Sequence, residues 1–317
     1  MCPPSSPSPP PGGLFRRAIV ESGPPYTHTA DSASALAERL AAHLGVPLTR
    51  EAFELIPADE LVAAVADLGR SSGEDASGLL LMPVVDGGLL PTAPETAMAA
   101  GTASGIPLLI GTTRDETAFF TVGAPALAAL DDEGLRRWMR RLSPDADVVE
   151  AVITGVTRAR AERGESVTPR DLWVAVSTEY IFRCPSVRMA DAHAAVADPG
   201  VDTYAYLFTW ESPAFGGYLG SCHALEIPFV FGTVNNPGVQ GFSGGGEEAL
   251  ALSASIRRAW VDFARTGAPG AWPAWDADRR PTTVLGPWPG SEGLVHQVGR
   301  PRDHELNAVA AAAPAVR

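Results

Sequence analysis

The chain has 317 residues, of which 45% are apolar, 19% charged and 7% aromatic, so it has the mass and apolar content for a sizeable core. A formal net charge of -13 makes the average surface repel phosphates, and no nucleic-acid partner is expected. All 24 basic residues are Arg, and without lysine the chain cannot hold a Schiff-base lysine, a Ser-Lys dyad or a P-loop. No run reaches the roughly 18 apolar residues of a membrane span, and residues 1–30 lack a basic region followed by an apolar core. Neither a bilayer span nor an export signal is therefore expected. Cys2, Cys184 and Cys222 show no CxxC or metal-ligand spacing and leave at least one thiol unpaired, which points to a reducing, cytoplasmic compartment with no metal and no cofactor.

Residues 1–13 (MCPPSSPSPPPGG) carry Pro, Ser or Gly at 11 of 13 positions and are expected to be disordered. From Leu14 the pattern is that of a folded chain. Residues 15–21 end in a β-branched run before Ser22-Gly23-Pro24-Pro25, which predicts a strand closed by a turn. Asp31 or Ser32 caps a helix in which Leu36, Leu40 and Leu44 recur until Gly45, and Leu61, Val62, Val65 and Leu68 mark another stopped by Gly69. Residues 107–111 (PLLIG) read as a strand buried on both faces, with polar TTRDE directly after it. Helical periodicity returns over 131–142, 146–163 and 171–195. Residues 203–210 are an aromatic strand, a loop carries His223, and 247–266 is an amphipathic helix. One or two short strands fall within 282–298 and a terminal helix within 303–313. Strands alternating with helices predict an α/β sheet with helices on its faces and large helical insertions.

Two segments place ionisable residues just past a predicted strand or in the loop beyond one, where α/β sheets present functional groups: residues 111–116 (GTTRDE) and 220–229 (GSCHALEIPF). A carboxylate bonded to one imidazole nitrogen fixes the tautomer and leaves the other nitrogen as a general base, and Glu116 and His223 suit that pair. By residue type alone, a surface acid near a helix start and a loop histidine are the stronger readings. Phe119, Phe120, Trp210, Phe215 and Phe229 line either an acyl pocket or the core. Cys222, beside His223, reads as a packed cysteine, and Arg136, Arg137, Arg140 and Arg141 as a solvated helix face.

The segments GLFRRAIVESG (13–23), PVVDG (83–87), PLLIGTTRDE (107–116), STEYIFRCPSVRMA (177–190), HALEIPFVFG (223–232) and WVDFARTGAP with WPAW (260–275) together resemble the type-B carboxylesterases of the cholinesterase-like α/β-hydrolase family, in the family's order. The resemblance implies an α/β-hydrolase fold over 14–317, as the C-terminal portion of its sheet, and a small carboxylic ester as substrate. It places the acid on Glu116 and the base on His223. Thr117 stands where the family usually has Gly. The resemblance further implies supporting roles for Ser22 and Glu226, although a turn alone accounts for Ser22 equally well.

In that family the nucleophilic serine sits on a GxSxG strand-to-helix elbow, preceded by an HGG-type oxyanion loop, both upstream of the segment matching 13–23. Neither precedes Leu14, so the nucleophile is expected to be missing, either through truncation or through a mis-assigned start. GRSSG (69–73) and GFSGG (241–245) match the letters but follow no buried strand, so Ser71 and Ser243 are not expected to replace it. The rival reading is a non-catalytic binding protein of the same fold, against which the Glu116 and His223 pair speaks.

Overall fold

In the computed structural model, which describes residues 13–72 and 80–310, the apolar runs line up as a five-stranded sheet. Its strands are β1 (Ala18–Glu21), β2 (Leu108–Thr113), β3 (Thr203–Phe208), β4 (Pro281–Leu285) and β5 (Val295–Gly299), in that spatial order. The first four run parallel and β5 returns antiparallel to β4. Every residue of β2 and β3 is buried, which is why both read as unbroken apolar runs with no alternation. Register pairs Gly111 with Tyr206. A Cβ at Gly111 would stand 2.3 Å from Tyr206 Cδ1, so glycine is what lets the tyrosine ring lie across β2.

Each sheet face is covered by a helix whose apolar stripe matches it. Ile256, Trp260 and Phe263 of helix Gly246–Thr266 pack with Tyr206, Phe208 and Phe229. Met189 and Ala190 of helix Cys184–Val196 pack with Ile110 and Ala205 on the other face. A third cluster joins the helices Asp132–Met139, Ala146–Glu162 and Pro169–Thr178 through Leu135, Val152, Val156 and Trp173. No helix of the described residues is long and apolar enough to cross a membrane.

The chain divides into two compact units, one holding Pro25–Ala97 and the other Gly13–Pro24 with Met98 onward. In the first, Thr29 caps helix Ala30–Leu44 by accepting from the Ser32 amide, and Gly45 ends it in a left-handed conformation. The cap thus lies ahead of Asp31 and Ser32, and Asp31 falls in the first turn, where its charge suits the helix dipole. Gly69 does not stop the next helix, which spans Ala58–Ser72; one glycine costs about 1 kcal/mol against alanine but leaves the hydrogen-bond ladder intact. His28–Thr29 and Val84–Val85 form a two-residue parallel pair. The stretch 1–13, read as disordered, lies outside the described residues except for Gly13, and so does the end of the 303–313 helix, observed as Asp303–Ala310.

The periodicity over 171–195 resolves into two helices joined by a π turn, Glu179–Arg183, in which the Cys184 amide reaches back to the Glu179 carbonyl. Pro185 explains the break. It has no N–H for the residue 181 carbonyl and its ring would collide with that carbonyl in a regular helix, so the turn widens and Pro185 falls in the first turn of the next helix.

Candidate active site

Three segments meet beyond the carboxyl ends of β1, β2 and β3. β1 ends in Ser22, whose amide extends the ladder to the Gly111 carbonyl at 2.9 Å while its backbone turns left-handed (φ 51°), unusual for a residue with a Cβ. That turn points the buried hydroxyl at Glu116, to which it donates at 2.5 Å on Oε1. Glu116 opens a short 3-10 helix, Glu116–Thr121, immediately past β2, and is fully buried. Its Oε1 also accepts from the Thr113 amide at 2.6 Å, and its Oε2 from His223 Nδ1 at 2.7 Å. Three donors thus offset the cost of burying this carboxylate.

His223 arrives from 107 residues away and is fixed by backbone as well as side chain. Its amide donates to the Glu116 carbonyl at 3.2 Å. Two residues earlier, Ser221 exchanges bonds with Asp115: the Asp115 amide donates to the Ser221 carbonyl at 2.8 Å, and the Ser221 amide to Asp115 Oδ2 at 2.9 Å. The following Ala224 is left-handed (φ 66°) and turns the chain toward helix Ile227–Phe231. The rings of Phe120 and Phe182 lie against the imidazole at centroid distances of 5.5 and 5.3 Å. Nε2 makes no hydrogen bond among the described residues, and the side chain is about one third exposed (32%).

Burial alone would lower the His223 pKa; the bond to Glu116, its charge and that of Glu226 outweigh it and hold the imidazole above its ordinary value. Burial would raise the Asp115 carboxyl, but Arg114 beside it and the Ser221 amide keep it below the usual range. Glu226 goes the other way, raised to about 8 by burial and by the nearby Glu116 charge, and its Oε2 has no hydrogen-bond partner among the described residues.

The structure therefore brings Glu116, His223 and Ser22 into one chain of bonds. Ser22 acts on the carboxylate, and no bond joins Glu226 to the imidazole; Glu226 sits at the start of helix Ile227–Phe231 and reaches His223 through charge. Phe119, Phe120 and Phe215 are exposed, whereas Phe229 is fully buried and Trp210 packs on it, so the aromatic set divides between surface and core. Ser243 is buried and donates to the Val234 and Val239 carbonyls on a four-residue helix, far from elbow geometry. The Ser71 side chain and the end of GRSSG lie outside the described residues. The Cys222 thiol is buried and pushed up to about 12, as suits a packing residue. No group of three or more His, Cys, Asp or Glu among the described residues is placed to hold a metal. Sequence reasoning passed over the Thr113 amide, the Asp115 and Ser221 exchange, and Arg183, whose spacing from Glu179 resembles an ordinary surface pair.

The model of the carboxylesterase family matches residues 5–292. The chain belongs to that family. It is 32% identical over 286 residues to the para-nitrobenzyl esterase of Bacillus subtilis strain 168, covering 86% of this chain and 53% of that protein. It is 28% identical to the phenmedipham hydrolase of Pseudarthrobacter oxydans, over 86% of this chain and 54% of that one. Among solved structures, a Geobacillus stearothermophilus carboxylesterase superposes with a TM-score of 0.74 at 36% identity, covering 94% of this chain and 59% of that chain. The fold is accordingly that of the α/β-hydrolases, and the family's chemistry is ester hydrolysis. The chain spans about half the length of the relatives it matches.

Proposed function

We propose that this carboxylesterase-family chain supplies the acid and base of a Ser-Glu-His ester hydrolase, with Glu116 as the orienting acid and His223 as the general base. The observation that carries the reading is the 2.7 Å contact from His223 Nδ1 to a fully buried Glu116 carboxylate, with Nε2 left open. In the reaction, a serine hydroxyl adds to the ester carbonyl while His223 Nε2 takes its proton. The imidazolium returns that proton to the departing alcohol, and water repeats both transfers to free the acid. Glu116, bonded to Nδ1, holds the tautomer and stabilises the imidazolium.

We assign the attacking serine to a part of the enzyme outside these 317 residues. Two facts support this assignment: the Ser22 hydroxyl is committed to Glu116, and Ser243 is buried and committed to carbonyls. Exposed Phe119 and Phe120, the latter against His223, favour an ester with an apolar group. The test compares nitrophenyl-ester hydrolysis and fluorophosphonate labelling in this chain and in one extended upstream. Negligible turnover and labelling here, with both present in the extended chain and turnover lost on His223→Ala, is the expected result. Stoichiometric labelling of the 317-residue chain at Ser243 or Ser71 would sink the assignment of the serine, and full activity after His223→Ala would sink that of the base.

A further inference from the structure

π turns are rare and cost helix regularity, and they concentrate where function needs a particular side-chain placement. The turn Glu179–Arg183 is buried and faces the corner that carries Glu116. Arg183 Nη2 donates to the carbonyls of Thr113 and Arg114, at 2.9 and 3.0 Å, and its Nε reaches Thr112 Oγ1 at 3.4 Å. Its Nη1 is held by Glu179 within the turn. The guanidinium therefore grips the chain where it leaves β2, between the Thr113 amide that bonds Glu116 and Glu116 itself. Immediately before the turn, Thr178 Oγ1 accepts from the Thr117 amide at 3.2 Å, so the residue after Glu116 is tied to the same helix. Phe182, the neighbour of Arg183, lays its ring against His223. One widened turn thus touches His223 and grips the backbone just ahead of Glu116, from positions that form no part of the pair.

We propose that Arg183, with Phe182 beside it, is a positioning residue for the Glu116 and His223 pair: the π turn sets where the carboxylate stands and keeps the imidazole from swinging off it. Arg183 suits the task because its planar fork serves two carbonyls and a carboxylate at once, which a lysine ammonium does less well. The groups whose charges set the His223 pKa are Glu116 and Glu226; Arg114 with Asp115 and Glu211, the Glu179 and Arg183 pair, and Arg302 with Glu305 are the other charges around the corner. A change in the His223 pKa on altering Arg183 therefore reports a changed Glu116 bond, with little direct effect of the lost charge.

The proposal rests on reading Glu116 and His223 as the acid and base, but its test looks at the pair itself in this chain, with no ester present. Failure here therefore leaves the functional reading standing, and the reverse also holds. Proton NMR follows the imidazole titration and the solvent exchange of the Nδ1 proton in wild type, Arg183→Met, Arg183→Lys and Phe182→Leu. Arg183→Met is expected to lower the His223 pKa by about one unit, a tenfold weaker hold on the proton, and to speed Nδ1 exchange. Arg183→Lys is expected to recover part of both effects, and Phe182→Leu to speed exchange while leaving the fold intact. A folded Arg183→Met with lower Tm but unchanged pKa and exchange would assign Arg183 a purely structural role and overturn the proposal. Should Arg183→Met fail to fold, Arg183→Lys and Phe182→Leu decide: faster exchange in either supports the proposal, and wild-type behaviour in both overturns it.

Discussion

The corner around Glu116 and the helical unit Pro25–Ala97 are built on opposite principles. At the corner, contacts span 94 residues from Ser22 to Glu116 and 107 from Glu116 to His223, and the Glu116 carboxylate on which they converge is buried with both oxygens paired. In Pro25–Ala97, apart from the short pairing of His28–Thr29 with Val84–Val85, the organisation is local: helices capped by Thr29 and Thr49, a glycine C-cap at Gly45, and among the described residues only Ala41, Ala64 and Leu68 in the buried core. Leu48, Leu55, Val62 and Leu89 remain exposed. Long-range burial ties the corner to global unfolding, whereas short capped helices with little buried area open at lower cost. A site that must hold a proton between two side chains needs the first kind of construction; the second kind tolerates motion.

The sharpest way to separate the two regions is catalysis. In a chain extended upstream so that it carries the serine, His223→Ala should lower kcat by about 10^6-fold and Glu116→Gln by about 10^4-fold, since the amide presents the wrong partner to Nδ1. Thr49→Ala in the helical unit should leave kcat unchanged. Steady-state kinetics decides, and comparable losses at both places would erase the distinction.

Core packing behind the corner gives the next largest effect. Phe263 is fully buried, edge-on to Tyr204 at 6.3 Å, in the helix that covers β3. Phe263→Ala should cost about 3–5 kcal/mol, read from denaturant midpoints. The Nδ1 proton of His223 should disappear at that same lowered midpoint. Its survival beyond the midpoint would mean that the corner does not belong to the sheet's cooperative unit.

A pH dependence follows from Glu226, whose folded carboxyl titrates at about 8 against an ordinary 4.5. Between those values the folded chain keeps a proton that the unfolded chain has released, so this group's contribution is fully present below 4.5 and is lost as pH rises through 8. Glu226→Gln cannot ionise. Its Tm relative to wild type should therefore climb across that window and level off above it. His223, raised above 6.5 in part by the Glu226 charge, also gives up stability as pH rises through its folded value, so its titration is followed in both proteins and its contribution subtracted before the difference is read. A flat difference would show that Glu226 is ionised and solvated in the fold.

Much of this corner was legible in the sequence because its chemistry coincides with sharp changes of pattern. The apolar run 107–111 gives way at once to TTRDE, and the loop with HALEIPF places an imidazole beyond the aromatic strand, so Glu116 and His223 stand out and their resemblance to a family joins them. Ser22 reads as a supporting residue only through the resemblance and otherwise as a turn residue, since nothing in SGPP reveals a left-handed backbone. Arg183 was hidden for a physical reason. Glu179 and Arg183 are four apart within a helical pattern, the spacing of a surface ion pair, and only Pro185 hints that the helix widens there. The Asp115 and Ser221 exchange depends on a loop whose path is set by Gly220, where a Cβ would stand 2.5 Å from Asp115 Oδ2. In Pro25–Ala97 the leucine periodicity was plain but the ends were not: the cap lay on Thr29 and the helix passed through Gly69, because caps and single glycines weigh about 1 kcal/mol and neighbouring choices differ by less.

The smallest predicted effect tests the local side of the comparison. Thr29 Oγ1 accepts from the Ser32 amide at 3.1 Å, one of the few bonds holding the first turn of helix Ala30–Leu44. Thr29→Ala should cost that helix about 1 kcal/mol, equivalent to about fivefold faster amide exchange over residues 30–44. Because the helix buries only Ala41 and its cap bond is local, the loss should stay within Pro25–Ala97. Exchange at the β2 and β3 amides, the His223 titration and the main unfolding midpoint should keep their wild-type values. If instead the midpoint falls by the full cost of the cap, Pro25–Ala97 unfolds together with the sheet, and the division between a local unit and a long-range one describes geometry but not energetics.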